Sequence, residues 1–423
     1  MTYRRMRTAI PSAILAALIS CAPAVAETLA VTAPEKVGMS KARLDRITTA
    51  FKAEIDKNQL PGAVIGVVRK GQLVYFESLG YRDPVTKEAM PANAIFAIAS
   101  MTKPMVSLAI MMLHDEGKLL LSDPVGKFLP PLADMKVGVV EGGTLATVAA
   151  TRQPTVQDLL RHTAGFAYGG RGDTPMHKLW PASSGTSGMT LTGQDFVATL
   201  AKAPLLSQPG TVWDYSLSVD ALGLIVEAVS GKPLGTFLQE RIWGPLGMVD
   251  TAFSVPEARK SRHAQAFAND PRNGKPQFVL QADGKPLKFD CGGGCAMSTA
   301  PDYLRFAQML ANGGILDGKR IIASRTLAMM TSDQLGADVR ARTTSPVLPK
   351  GYSFGLGFAV RTQPGIAAFA GSEGDYYWGG AYGTYFWVDP KEQLTAVLMA
   401  AAPGEIRTQN SPMLRNLVMQ AIE

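Results

Sequence analysis

The sequence predicts an α+β fold, in which strands from both ends of the chain form one antiparallel sheet and a mostly helical insertion packs beside it. Three observations predict it. Two β-rich runs, residues 63–69 (AVIGVVR) and 73–80 (LVYFESLG), meet through Lys70-Gly71-Gln72. Two more, residues 382–388 (YGTYFWV) and 393–400 (QLTAVLMA), meet through Asp389-Pro390-Lys391-Glu392 near the other end. Between these pairs the apolar residues recur at helical spacing over 104–116, 155–161, 193–202, 217–230, 233–242 and 300–312. Links as short as those between the paired runs join antiparallel neighbours and leave no room for a crossover helix.

The remaining elements follow in order. A helix is expected from Lys41 to Ile55, a further strand around 355–361 (GLGFAVR), and a closing helix from Pro412 to Ile422, since proline suits the first helical turn. Two stretches rich in Gly, Ser, Thr and Pro, Val137 to Thr155 and Tyr168 to Thr192, read as surface loops. The expected organisation is a signal segment, 1–26, then one unit, 27–423, with an α/β lobe from about 35–100 and 320–423 and a helical lobe at about 101–319.

At 423 residues the chain can bury a large core, and 46% hydrophobic with 18% charged residues is ordinary globular composition. Of the formal +7 charge, Arg4, Arg5 and Arg7 fall in the first 26 residues; the rest is dispersed without a basic stripe, which excludes nucleic acid as the expected partner. Those arginines precede an apolar stretch from Ile10 to Ile19, and Ala24-Val25-Ala26 fits a cleavage site before Glu27. This pattern predicts an exported protein, periplasmic or secreted. The alternative is a lipoprotein anchored at Cys21, because Leu18-Ile19-Ser20-Cys21 resembles a lipobox. The apolar run is too short to span a bilayer, and no transmembrane helix is expected in the mature chain. Cys291 and Cys295 flank three glycines that let the chain turn tightly enough for the sulfurs to meet, so they are a possible disulfide; two unpaired buried thiols are the other reading. No second ligand pair lies nearby, and no metal site is expected.

The residues with most chemistry are Ser100-Met101-Thr102-Lys103, followed by Pro104 and a long apolar run. A serine hydroxyl needs a base beside it to become a nucleophile. On a helical turn, residues three apart share a face, so Lys103 lies under Ser100. The chain contains no other Ser-x-x-Lys, a spacing that marks penicillin-recognising serine enzymes. Downstream stand Leu159-Leu160-Arg161-His162-Thr163-Ala164-Gly165-Phe166 and residues 209–230 (PGTVWDYSLSVDALGLIVEAVS).

With residues 96–128 (FAIASMTKPMVSLAIMMLHDEGKLLLSDPVGKF), these motifs resemble the class C β-lactamase-related serine hydrolases, and most of all the bacterial family VIII carboxylesterases. The likeness runs from about residue 35 to 420 and implies a β-lactamase/transpeptidase-like fold. It also implies Ser100 as nucleophile, Lys103 as its activating amine, and Tyr215 as the base that later protonates the leaving alcohol. The lactamases carry Tyr-x-Asn, whereas this chain has Leu217 at the third place. They carry Lys-Thr-Gly where this chain has Trp378-Gly379-Gly380, followed by Ala381, which is expected at the start of a strand. Loss of that lysine removes a cation that greets carboxylate substrates. The resemblance implies an oxyanion hole from the amides of Ser100 and Ala381, with Leu217, Trp378, Gly379 and Gly380 at the substrate.

Other signals carry less. Ala370-Gly371-Ser372-Glu373-Gly374 lacks the first glycine of a nucleophile elbow, so Ser372 reads as a loop residue. His162 is expected to bond backbone, and His114, His177 and His263 have no acid–nucleophile context. The expected activity is a serine carboxylesterase acting on a small-molecule ester through an acyl-enzyme, with no metal or organic cofactor. A β-lactamase or D,D-peptidase using the same serine, and an acyltransferase of the same fold, are the rival readings.

Overall fold

Every residue of the strand Gly62–Arg69 is buried, and the sheet is organised about it. The computed structural model describes residues 29–281, 286–343 and 345–423, so the expected signal segment, with Cys21, lies outside the described residues. Gly62–Arg69 pairs antiparallel with Gln72–Asp83 on one side and with Leu394–Ala400, the last strand of the chain, on the other. The first hairpin turns through Lys70 and Gly71, both at positive φ, the backbone that a two-residue β-turn requires. The eight-stranded order is Tyr352–Phe354, Ala359–Arg361, Tyr376–Gly379, Tyr385–Asp389, Leu394–Ala400, Gly62–Arg69, Gln72–Asp83 and Glu88–Ala89. Every pairing in this sheet is antiparallel, as expected of an α+β chain.

Alternate side chains of the central strand enter two cores. Ala63, Ile65 and Val67 meet Leu44, Ile47 and Phe51 of helix Lys41–Asp56 and Leu414 and Val418 of helix Ile406–Met419. Val64 and Val68 face the larger core, which contains helices Thr102–Asp115, Ser218–Ser230 and Ala300–Ala311. At Gly66 an added Cβ would lie 2.5 Å from Leu304 Cδ1, so glycine lets helix Ala300–Ala311 settle onto the strand. That helix starts where the sequence supplies a cap: the Thr299 side chain accepts from the Asp302 amide.

Several boundaries differ from the sequence reading. The stretch from Val137 to Thr155 is not a plain loop; it contains the hairpin Lys136–Glu141 and Thr144–Ala149, turned by Gly142 and Gly143 at positive φ. The Tyr168 to Thr192 stretch contains helix Ser184–Thr190 and the 3-10 turns Gly169–Arg171 and His177–Leu179. Small polar residues had suggested irregular backbone in both places. Of the strand expected at 355–361 only Ala359–Arg361 forms; the residues before it make a turn, with Gly357 at φ 98°, from a separate strand Tyr352–Phe354. The final helix starts at Ile406 and carries Pro412 inside it, because packing on the sheet overrides the missing amide hydrogen bond. Among the described residues no single helix is long and apolar enough to cross a membrane.

His263 is 4% exposed, and burial, reinforced by Arg82, lowers its pKa to about 4. Its segment joins the chain before Ser100, through the Ala264 amide to Ile95 O at 2.9 Å. The unfolded chain takes up this proton near pH 6.5, whereas the folded chain refuses it until about 4. Stability contributed here is therefore present above the unfolded pKa and is lost as pH falls. The expected loss from this group between pH 8 and pH 5 is about 2 kcal/mol. Urea titrations at both pH values should show a smaller acid-induced loss for His263→Gln than for the parent; an equal loss would refute the assignment.

Candidate active site

The ladder between Phe96–Ala97 and Met297–Ser298 brings the Ser100 segment beside the glycine-rich segment 292–294. Ala99, just before the nucleophile candidate, has φ 45°, a left-handed backbone that costs a residue with a Cβ of order 1 kcal/mol. Two buried bonds hold it there: Thr102 Oγ1 donates to Ala99 O at 2.7 Å, and Tyr303 OH donates to Met101 O at 2.8 Å. Ser100 sits in the 3-10 turn Ala99–Met101, half-buried, immediately before helix Thr102–Asp115.

Lys103, one turn on, is 1% exposed. Its three protons have three acceptors: Gly293 O at 2.5 Å, Tyr168 OH at 2.9 Å and Ser100 Oγ at 3.4 Å. Burial opposes charge on this amine. The negative potential of Tyr168, Tyr215 and Asp220 outweighs burial and raises its pKa, so Lys103 is an ammonium.

The ammonium belongs to a closed ring of hydrogen bonds. Tyr168 OH, accepting from Lys103, pairs with Ser184 Oγ at 3.0 Å. Ser184 Oγ donates to Asp220 Oδ2 at 2.8 Å, and Asp220 Oδ1 accepts from the Gly293 amide at 2.9 Å. Gly293 O closes the ring on Lys103. Asp220 is fully buried; burial raises its pKa, and Lys103 and Ser184 pull against that rise. Gly293 admits no side chain, since a Cβ would stand 2.1 Å from Asp220 Oδ2. Cys291 and Cys295, joined as a disulfide in the structure with Cα atoms 5.3 Å apart, bracket this glycine.

Tyr215 comes from the segment before helix Ser218–Ser230. Its ring lies 4.7 Å from the Lys103 ammonium, and its hydroxyl accepts from Trp378 Nε1 at 3.3 Å. Trp378, Gly379, Gly380 and Ala381 line a cavity of about 400 Å³ with Ser100 and Tyr215. They do not begin a strand: Tyr376–Gly379 ends there, and Gly380 and Ala381 lie in the turn beyond. A Cβ on Gly380 would meet Ile98 O at 2.3 Å, so this glycine lets the sheet edge close on the backbone leading to Ser100. Among the described residues, the amides of Ser100 and Ala381 donate to no turn or loop acceptor.

Leu217 is not brought to the cavity. It is fully buried in the larger core, because an apolar side chain at the entry to helix Ser218–Ser230 packs inward. His162 receives the Ser216 amide at 3.3 Å, and burial holds its pKa well below the usual histidine value; it is a neutral bracket for the Tyr215 segment. Ser372 lies in a loop, with its amide donating to Asp389.

Tyr168, Ser184 and Asp220 were not legible as site residues. The first two fall in the stretch whose composition suggested a loop. For Asp220 one signal existed: a lone acid in the apolar run Val219 to Val226, where an unpaired buried carboxylate is costly.

The Beta-lactamase family model matches residues 44–414. Protein Rv1367c of Mycobacterium tuberculosis is 35% identical over 358 residues, 83% of this chain and 88% of that protein. Esterase EstB of Burkholderia gladioli is 30% identical over 381 residues, 85% of this chain and 89% of that one. The solved structure of EstCE1, described as a hydrolase with promiscuous acyltransferase activity, superposes with TM-score 0.74 at 25% identity, over 89% of this chain and 98% of that chain.

The ring sets a structural test. Gly293→Ala forces a methyl into Asp220 and Ser184, and a loss of about 2 kcal/mol or more is expected in chemical denaturation. A variant as stable as the parent would contradict the packing. Thiol titration of the unreduced, denatured protein is expected to detect neither Cys291 nor Cys295; reactive thiols at both would contradict the pairing.

Proposed function

This chain belongs to the beta-lactamase family of serine hydrolases, and from that premise we propose that it is a carboxylesterase that cleaves short-chain carboxylic esters through an acyl-enzyme on Ser100. The observation that carries the reading is the placement of Ser100 Oγ at an open cavity with the Lys103 ammonium 3.4 Å behind it.

Ser100 attacks the ester carbonyl. The reacting form has Tyr215 as a phenolate, held by the Trp378 donor and the adjacent Lys103 ammonium, and the hydroxyl proton passes to that oxygen to give the neutral phenol. Lys103, kept charged by its ring of acceptors, steers that transfer and stabilises negative charge at Ser100 as the bond forms. The amides of Ser100 and Ala381 receive the carbonyl oxygen as it becomes an oxyanion; loss of one such donor costs on the order of 3 kcal/mol. Tyr215 returns the proton to the departing alcohol. Water then attacks the acyl-enzyme, with Tyr215 again taking the proton, and releases the acid.

Trp378 favours esters over β-lactams in this reading. It fills the position where the lactamases carry a lysine, and its indole engages Tyr215 instead of a substrate carboxylate. Transfer of the acyl group to an alcohol is a second reading, favoured by the likeness to EstCE1 and its promiscuous acyltransferase activity. An exported location, periplasmic or secreted, with lipid anchoring at Cys21 as the alternative, fits the pattern of the first 26 residues.

The test is a panel of p-nitrophenyl acetate, butyrate and laurate beside nitrocefin. Acetate and butyrate are expected to be cleaved fastest. Ser100→Ala should lose about 10³-fold or more in kcat, and Tyr215→Phe about 10²-fold or more. Undiminished cleavage by Ser100→Ala would overturn the mechanism, and strong nitrocefin turnover with negligible ester cleavage would overturn the esterase assignment.

A further inference from the structure

Two guanidinium groups, Arg171 and Arg407, flank the cavity above Ser100. Both also line the adjoining space of about 430 Å³ bounded by Tyr168, Ser184 and Tyr382, so they stand at the junction of the two. They come from distant parts of the chain: Arg171 ends the 3-10 turn Gly169–Arg171, and Arg407 lies in the first turn of helix Ile406–Met419. Arg171 stacks over Tyr215, with 5.1 Å from guanidinium to ring centroid, and 5.9 Å from Tyr168. Neither arginine has an ion pair or a side-chain hydrogen bond among the described residues.

Exposed Arg325 and Arg342 share that lack, but neither lines this space, and several other arginines are paired. Arg152 and Arg161 are both paired with Asp158, Arg262 with Asp250, and Arg361 and Arg415 with Asp375. Two carboxylates in their surroundings do not neutralise them. Asp214 is influenced by Arg171 yet forms no ion pair with it, and Glu405 is engaged by Asn273 Nδ2 at 3.1 Å. A first helical turn ordinarily attracts acids, because the helix dipole is positive there. This one has no acid and carries a cation instead. Surrounding protein depresses the Arg407 pKa, and the nearby charge of Arg171 adds to that, as expected of two cations lining one space.

We infer that Arg171 and Arg407 form a clamp for a carboxylate, so that the ester attacked by Ser100 carries an anionic group. The inference rests on reading the site as an ester hydrolase and names the substrate class within it. Trp378 stands where the lactamases place a cation, and these two arginines supply positive charge from other elements. A guanidinium presents paired donors that match a carboxylate, and two of them facing one space give orientation as well as attraction.

The experiment uses two matched pairs of esters. In 3-acetoxybenzoate against 3-acetoxybenzamide the charge is on the alcohol half; in monomethyl glutarate against methyl valerate it is on the acyl half. The parent protein should favour the anionic member of at least one pair by on the order of tenfold in kcat/KM. The preference should shrink from low salt to about 1 M salt, as an exposed charge contact requires. In Arg171→Gln/Arg407→Gln the ratio of anionic to neutral turnover should collapse toward one, with each single variant between. Preference for the neutral member of both pairs, or an anionic preference that survives in the double variant, overturns the clamp. If the parent cleaves none of the esters, the hydrolase reading fails by itself. The clamp is then judged by calorimetric titration of Ser100→Ala with 3-acetoxybenzoate and monomethyl glutarate. Salt-sensitive binding lost in the Arg171→Gln/Arg407→Gln background supports it, and absence of binding refutes it.

Discussion

A single buried ammonium constrains the heart of this molecule. Lys103 carries its charge at 1% exposure, where an unpaired cation would cost several kcal/mol. The protein offsets that cost by closing hydrogen bonds through Tyr168, Ser184, Asp220 and Gly293 back to the same nitrogen. Each member has another in view, so the ring is fully satisfied and rigid. The demand propagates outward. Gly293 must lack a side chain, helix Ser218–Ser230 must hold an acid on its buried face, and the 168–184 segment must fold inward.

Ser100 is located by a second constraint, the contact between sheet edge and helix start. Strand Tyr376–Gly379 runs out beside Ile98, where Gly380 permits close approach and Thr384 Oγ1 donates to Ile98 O at 3.1 Å. Behind the sheet, Asp375 is gripped by Arg361 at 2.8 Å and by Arg415, and Tyr352 OH donates to it at 2.6 Å. Arg415 belongs to the final helix, so this buried cluster also fixes the register of the turn that presents Arg407.

What the sequence revealed and what it hid divide along physical lines. Continuous apolar runs such as residues 63–69 and 393–400 announce strands because burial on both faces leaves few polar positions. Ser100 and Lys103 were legible because their geometry is local, three residues apart on one turn. Tyr168 and Ser184 were not, since their value comes from meeting Lys103 and Asp220 across long stretches of chain, which no local pattern records. Leu217 shows the opposite limit: a position assigned to the substrate from resemblance is buried in the core, where an apolar side chain is best placed. Trp378 and Gly379 were found as residues and misplaced as backbone, at the end of a strand instead of its start, because aromatic and glycine residues suit either end.

The partner strands of Gly62–Arg69 carry one further consequence. One neighbour follows within a few residues, and the other, Leu394–Ala400, lies far along the chain, beyond the whole helical region. Closing the sheet on that side therefore means closing a loop that contains the whole helical region, and pairings so distant in sequence form late in folding. Ser100 lies inside that loop, so its surroundings are complete only when the two ends of the sheet have met.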